Sequence, residues 1–245
     1  MPGHRFYAPS ENFTATSVQL PSDEVHHAVQ VLRIRVGDRV VVFDGQGRMF
    51  QAMVAEVSKR GVRLALETAL PVLGESPLDL TLGMALLKAD KFEWVIQKAV
   101  ELGVTRIVPL ITQHVEPNLI RGASEKLERW SRISREATKQ CGRGYLTPIL
   151  PPQPVSELLS SGGVKFFFTE RQGNGWATVL SQLRKRPSTV VALVGPEGGW
   201  SEAERKLAET QGAYGVTLGP RILRAETAAI LAAGLLQATF GDFVG

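Results

Sequence analysis

Residues 193–204, LVGPEGGWSEAE, and residues 218–227, LGPRILRAET, each combine the end of an apolar run, a Gly/Pro turn and the approach to a helix. Two such turns at the ends of neighbouring strands form a cleft lined by backbone N–H and C=O groups, where open α/β sheets bind small ligands. The glycines let a flat ligand touch the main chain without an intervening side chain. Ser201 and Glu204 match the S-x-x-E capping box, which predicts that a helix starts directly after the first turn.

The sequence around these turns, from residue 78 onward, alternates between apolar runs and helical spacing. Strands are predicted at 80–87, 107–111, 164–169, 190–194 and 216–218, and helices at 90–102 and 225–238. Long crossovers between continuous apolar strands predict an α/β fold with a parallel sheet covered on both faces. The chain has no G-x-G-x-x-G after its first strand and no P-loop motif, so a Rossmann or P-loop nucleotide site is not expected.

Residues 1–70 are predicted to form a small, mostly β domain. Residues 23–34 have the spacing of a short helix, and β-prone runs follow at 39–43, 49–57 and 62–67, with turns at 45–47 and at Lys59-Arg60-Gly61. Closely spaced short strands with glycine turns are typical of a small barrel. Residues 71–77 contain two prolines and a glycine and are predicted to be a linker, so the second domain covers residues 78–245.

The composition is that of a globular protein, with 44% hydrophobic and 21% charged residues. We expect a cytoplasmic protein without a membrane span, because the chain lacks a long apolar run and a signal peptide and has a single cysteine. The net charge is +4, and residues 121–143 alone carry seven Lys/Arg and three Asp/Glu. This basic stripe indicates either a polyanionic partner or a solvated helix face.

The other reactive side chains indicate neither a metal site nor a covalent mechanism. His26 and His27 diverge on a helix, and no cluster of cysteine, histidine and carboxylate residues accompanies them, so we expect no metal. Cys141 has no recognisable histidine or aspartate partner and is predicted to be a buried small residue.

Taken together, the two turn motifs resemble the cofactor loops of the SPOUT methyltransferases, which hold S-adenosylmethionine in a trefoil knot. The sequences of the two motifs resemble those of the bacterial family that methylates N3 of a uridine in 16S ribosomal RNA. The segments KADKFEWVIQKAVELG at 88–103 and ERWSRISREATKQCGR at 128–143 resemble that family too. The resemblance implies a SPOUT-type parallel sheet with a C-terminal trefoil knot, preceded by a PUA-like β-barrel that binds RNA. The pattern alone predicts an unknotted sheet. The resemblance further implies an enzyme that uses S-adenosylmethionine, acts on 16S ribosomal RNA in the small ribosomal subunit and forms a homodimer.

The family motif also implies the cofactor site, in which the glycines approach the cofactor and apolar residues of the second motif line the adenine pocket. The implied cofactor-binding residues are Thr169, Leu193, Val194, Gly195, Pro196, Glu197, Gly198, Gly199, Leu218, Gly219, Ile222, Leu223 and Thr227.

Basic residues in both halves of the chain are candidates for RNA contacts. Arg143 stands between two glycines and is expected to project freely, and a lysine at a strand end or helix start can bind phosphate. The candidate RNA-binding residues are Arg5, Arg33, Arg35, Lys88, Lys91, Arg132 and Arg143.

Methylation of N3 of uracil requires a weakly acidic proton to leave, so cationic groups near O2 or O4 would stabilise the transition state. Arg143 and Arg224 are the catalytic candidates for that role, and Glu197 or Glu226 for accepting the proton. The target base must be unpaired or flipped out, because pairing hides N3. Three alternatives stay open: a related SPOUT enzyme with another ribosomal or transfer RNA target, a non-enzymatic RNA-binding assembly factor, and a small-molecule methyltransferase.

Overall fold

The computed structural model describes residues 4–58 and 61–243 and divides the chain into two compact units. The first contains Met1–Glu75 and Thr138–Leu146, and the second contains Ser76–Ala137 and Thr147–Gly245. The boundary between Glu75 and Ser76 lies within the predicted linker, but residues 138–146 had been assigned to the second domain. They belong to the first unit because Leu146 donates its backbone N–H to the Gly45 carbonyl, and Tyr145 forms a β-bridge with Gln46.

The first unit is built on a five-stranded sheet. Its strands are β1 (Arg5–Tyr7), β2 (Ser17–Gln19), β3 (Arg39–Phe43), β4 (Met49–Ser58) and β5 (Gly61–Ala69). They lie in the order β1-β3-β4-β5-β2, with β1 parallel to β3 and the other neighbours antiparallel. The three predicted strands are confirmed to within two residues. Ala52 and Val54 alternate into a core with Val40 and Leu64, which gives the sheet its buried face.

The predicted helix at 23–34 is shorter than expected. It starts as α1 (Ser22–His26) and continues as a π-helical turn over His27–Val31, in which the Leu32 N–H donates to the His27 carbonyl. Arg33 then adopts a φ of 54°, which ends the helical path. In the predicted Lys59-Arg60-Gly61 turn, Lys59 and Arg60 lie outside the described residues.

The second unit is the predicted α/β fold with a parallel sheet. Its strands are β6 (Asp79–Ala85), β7 (Arg106–Ile111), β8 (Gln153–Pro154), β9 (Val164–Thr169), β10 (Thr189–Val194) and β11 (Tyr214–Thr217). Its helices are α2 (Ala89–Glu101), α3 (Pro117–Arg121), α4 (Leu127–Cys141, in the first unit from Thr138 onward), α5 (Val155–Leu159), α6 (Trp176–Gln182), α7 (Glu202–Thr210) and α8 (Ala225–Phe240). All sheet pairings are parallel, in the order β11-β9-β10-β6-β7-β8.

Two hydrophobic cores cover the two faces of this sheet. Along β10, Ala192 and Val194 pack in the core that contains α2 and α8, whereas Val191 and Leu193 pack in the core that contains α5 and α7. Because all strands run in the same direction, their carboxyl ends lie at one edge of the sheet. No helix among residues 4–58 and 61–243 is long and apolar enough to cross a membrane.

Candidate functional site

A cavity with a volume of about 390 Å³ lies at the carboxyl edge of the sheet. The loops after β9, β10 and β11 and the first turn of α8 form its walls. This size is within the range of small-molecule binding sites. The two glycine motifs, which are separate in the sequence, therefore line the same cavity, which we call the cofactor cavity.

The loop after β10 is held by its own backbone and by Trp200. The Gly199 N–H donates to the Pro196 carbonyl at 2.9 Å, and Gly199 has a φ of +68°, in the left-handed region that favours glycine. A Cβ on Gly195 would lie 3.0 Å from the Trp200 ring, so the indole packs directly on the glycine backbone. The Trp200 indole N–H donates to the Phe168 carbonyl at 2.8 Å, which fastens the loop to the end of β9.

The capping box predicted at the start of α7 is confirmed. The Glu204 N–H donates to Ser201 Oγ, and the Ser201 N–H donates to Glu204 Oε2. Glu204 Oε1 also accepts the backbone N–H of Gln113, so the cap ties the segment after β7 to the start of α7.

His114 is a residue of this loop system that sequence reasoning missed. Its Nδ1 lies 3.0 Å from the carbonyl oxygens of both Gly198 and Gly199 and donates to them in the tautomer that carries the proton on Nδ1. A Cβ on Gly198 would lie 3.0 Å from His114 Cβ, so a larger residue there would press on the histidine. The position of His114 after a buried strand, at the shared carboxyl edge, is the only sequence signal that could have pointed to it.

Lys91 joins two of the predicted carboxylates into one cluster. Its ammonium Nζ lies 2.9 Å from Glu197 Oε1 and 3.9 Å from Glu226 Oε2. Glu226 is 7% exposed, and its Oε2 is buried without a hydrogen-bond partner. The hydrogen bond to Glu197 raises the pKa of Lys91. Burial disfavours the charged form of Glu197, but the hydrogen bond from Lys91, the Glu197 backbone N–H and the charges of Lys91 and Lys88 outweigh it, so the pKa of Glu197 lies below its ordinary value.

A second cavity, of about 310 Å³, is also lined by the loop after β10. Pro196, Glu197 and Gly198 line both cavities, so the two cavities adjoin at this loop. The remaining walls come from the β6–α2 turn and from the segment that follows β7. The polar side chains of these walls are Lys88, Lys91, His114 and Glu116.

Most of the predicted cofactor residues line the cofactor cavity. They are Thr169, Val194, Gly195, Pro196, Glu197, Gly198, Gly199, Leu218, Ile222 and Leu223. Leu193 does not line it, because the alternation along β10 turns its side chain into the opposite core. Gly219 is exposed in the loop with a φ of +78°, and Thr227 is exposed on α8; neither lines the cavity.

Several further residues line the cofactor cavity without having been predicted to hold the cofactor. Two of them are Trp200, which also fastens the loop after β10, and Arg224, which is predicted as a catalytic residue. The others are Phe168, Glu170, Gln172, Arg205, Arg221, Ala225 and Ala228. Glu170 and Gln172 follow β9, and the segment after this strand lacks the Gly-Pro turn from which the site was predicted.

The expectation that Arg143 projects freely is wrong. Its side chain is 5% exposed, and its guanidinium forms hydrogen bonds of 2.9 and 3.0 Å with Glu75 Oε2. Glu75 Oε1 accepts the backbone N–H groups of Gly144 and Tyr145. Arg5 is half-buried and donates to the Arg143 carbonyl at 2.7 Å. The glycines on either side of Arg143 therefore belong to a tight loop of the first unit. The Arg143–Glu75 ion pair holds this loop, because a buried guanidinium needs a carboxylate partner.

The other predicted RNA contacts are more accessible. The exposed ones are Arg33, Arg35, Lys88 and Arg132, whereas Lys91 is half-buried in the carboxylate cluster. In the described part of the chain, no group of three or more His, Cys, Asp or Glu residues is placed to hold a metal ion.

Comparisons with known proteins agree with this architecture. Residues 74–237 match the model of the RNA methyltransferase domain, and residues 20–67 match that of the RNA methyltransferase PUA domain. A protein from Synechocystis sp. named ribosomal RNA small subunit methyltransferase E is 34% identical over 239 residues, which are 96% of this chain and 77% of that relative.

Two solved structures with bound cofactor are also similar. One is a ribosomal RNA small subunit methyltransferase E from Neisseria gonorrhoeae bound to S-adenosylmethionine, with 34% identity and a TM-score of 0.88 over 100% of both chains. The other is a methyltransferase from Legionella pneumophila in complex with the same cofactor, with 32% identity and a TM-score of 0.88, over 99% of this chain and 100% of that one.

Proposed function

Because the chain belongs to the RNA methyltransferase family that includes the ribosomal RNA small subunit methyltransferases E, we propose that it transfers a methyl group from S-adenosylmethionine to N3 of a uridine in 16S ribosomal RNA. The observation that carries the proposal is the meeting of the two glycine motifs in one cavity at the carboxyl edge of the parallel sheet.

The residues of the cofactor cavity fit this cofactor. One wall is apolar, from Leu218, Ile222 and Leu223, and Ile222 is 56% exposed, which leaves an apolar surface for a flat adenine ring. Glu170 and Arg205 among the lining residues supply charged groups for the amino-acid end of the cofactor. When bound, S-adenosylmethionine supplies a methyl group that is already activated by a positively charged sulfur.

The residues around the cavity provide the proton chemistry that N3 of uracil requires. Glu197 lines the cofactor cavity, and Glu226 lies 3.9 Å from the Lys91 ammonium group; these two carboxylates are the candidates for accepting the N3 proton. Arg224 lines the cofactor cavity and is the candidate for stabilising negative charge on the base. Arg143 does not enter this step, because it is buried against Glu75.

We also propose a C-terminal trefoil knot and a homodimer. In support of the knot, residues 173–174 lie tightly along β11, since a Cβ on Gly173 would be 2.6 Å from the Val216 carbonyl carbon. After β11, at the edge of the sheet, the chain passes to α8, which packs on β6 and β10 in the middle. In support of the dimer, Trp94 of α2 and Leu231 of α8 are both 45% exposed.

Mass spectrometry of nucleosides tests the proposed function most directly. Small ribosomal subunits from a strain that lacks the gene are incubated with the protein and isotopically labelled S-adenosylmethionine, then digested to nucleosides. We expect labelled 3-methyluridine from the 16S RNA and none from large subunits. Label on a different nucleoside would assign the protein another target, and cofactor binding without any RNA methylation would favour a non-enzymatic assembly factor.

A further inference from the structure

The second cavity is placed where an acceptor for the cofactor would have to lie. It shares the lining residues Pro196, Glu197 and Gly198 with the cofactor cavity, and both cavities lie at the carboxyl edge of one sheet. Its volume of about 310 Å³ is at the lower end of the range for small-ligand sites. In methyl transfer the acceptor nitrogen must lie in direct line with the methyl carbon, at about 3–3.5 Å, so the acceptor site has to adjoin the cofactor cavity.

Lys91 is connected to both cavities through its ion pair with Glu197. It lines the second cavity, and its partner Glu197 lines both. Its other neighbour, Glu226, has a buried carboxylate oxygen without a hydrogen-bond donor. A buried carboxylate oxygen that accepts no hydrogen bond is costly, and the Lys91 ammonium group at 3.9 Å is an ion-pair partner that offsets part of this cost.

Resting on the proposed function, we infer that the second cavity receives the uracil base of the acceptor nucleotide and that Lys91 is a catalytic residue whose ammonium group moves from Glu197 to a carbonyl oxygen of that base. The N3–H bond then breaks, its proton passes to a Glu197 carboxylate oxygen, and the electron pair stays on the base. The negative charge spreads over N3 and the two carbonyl oxygens, one of which Lys91 contacts. N3 thereby becomes the nucleophile for the methyl group.

The exchange of partners links substrate binding to proton acceptance. While Lys91 is bonded to Glu197, the carboxylate is a weak base, because the ammonium group stabilises its charged form. Transfer of Lys91 to the uracil removes that stabilisation and makes Glu197 a better proton acceptor. The other charged or titratable groups around Lys91 are Glu226, Arg224, Lys88, Glu116 and His114.

Single-turnover methylation of small subunits by Lys91→Gln, followed from pH 6 to 10, tests the catalytic role. Loss of a charge-assisted contact predicts a rate about 10- to 100-fold lower near pH 7. The difference in rate between Lys91→Gln and the wild type should decrease as the pH rises, because solvent then removes the N3 proton without help from the protein. A purely structural role would lower the rate by the same factor at every pH and would overturn the inference, as would an unchanged rate.

Lys98→Gln is the matched control, because Lys98 lies on the same helix, pairs with Glu101 at 2.8 Å and lines neither cavity. It should methylate at the wild-type rate. If the wild-type protein forms no 3-methyluridine, the proposed function itself fails. If the wild-type protein forms 3-methyluridine and Lys91→Gln forms it at the same rate at all pH values, the proposed function stands and only the catalytic role of Lys91 fails.

A binding experiment gives a readout that does not depend on turnover. Uridine 5′-monophosphate is titrated into the wild-type protein with the demethylated cofactor present, and the pKa of Glu197 is followed by carbon-13 NMR of its carboxyl group. We expect this pKa to rise at saturation, because Lys91 leaves Glu197 for the base. Cytidine 5′-monophosphate, which has an amino group in place of O4, should raise it less. An equal rise with inorganic phosphate would identify a phosphate site and overturn the assignment to uracil.

Discussion

Replacing Ala228 by leucine should weaken cofactor binding without unfolding the protein. Ala228 lies in the first turn of α8, lines the cofactor cavity and donates its backbone N–H to the Arg224 carbonyl at 2.9 Å. Leucine keeps that hydrogen bond and has a helix propensity close to that of alanine. Its isobutyl group adds volume to the apolar side of a cavity of about 390 Å³, to which Leu218 and Leu223 also contribute.

The size of the effect follows from the cost of overfilling a packed site. Extra methylene groups typically cost about 1–3 kcal/mol in a well-packed environment. This cost would destabilise the cofactor-bound protein but not the free protein, so the dissociation constant should rise about 5- to 150-fold. We expect the free protein to melt close to the wild-type temperature, because the added atoms enter open space.

Isothermal titration calorimetry with S-adenosylmethionine measures this change, with Ala238→Leu as the matched control. Ala238 lies on the same helix, is exposed and does not line the cavity, so its leucine variant should bind like the wild type. Equal affinity of Ala228→Leu and wild type, with both folded, would refute the position of the cofactor. Equal losses in the two variants would show that the effect acts through the helix and not through the cavity.

Three further outcomes are expected. Glu75→Ala leaves the buried Arg143 guanidinium without this carboxylate and should destabilise the first unit by about 3 kcal/mol; an unchanged urea midpoint would contradict this. The pKa of Glu197, measured by NMR, should rise in Lys91→Gln, and equal pKa values in both proteins would exclude Lys91 as the cause of the low value. The Lys91–Glu197 pair should contribute fully to stability above the ordinary pKa of glutamate, and this contribution should be lost as the pH falls through the lowered pKa of Glu197. Binding to small subunits should weaken steeply with salt, by a log–log slope of about −0.7 to −0.9 per phosphate contacted, and a slope near zero would argue against an extended RNA interface.

The local sequence was sufficient to predict the backbone conformation of the site. The glycine turns after β10 and β11, the capping box of Ser201 and Glu204, and the alternation of strands with helices all depend on neighbours a few residues apart. The predicted parallel sheet follows from the continuous apolar strands, which can be covered only by helices on both faces. The shortened helix after Ser22 is a miss of the same local kind, because apolar spacing does not distinguish an α-helix from a π-helical turn.

Side-chain partnerships depended on the tertiary structure. His114 reaches the glycine loop from 84 residues away, and Lys91 reaches Glu197 across 106 residues. Arg143 was predicted to face solvent, but it is buried because Glu75, which is 68 residues away, supplies its counter-charge. The physical reason is the separation along the sequence over which each property is determined. Backbone preference and burial periodicity are properties of short segments, whereas a charged side chain adopts the position that distant segments can neutralise, and only the packed chain brings those segments together.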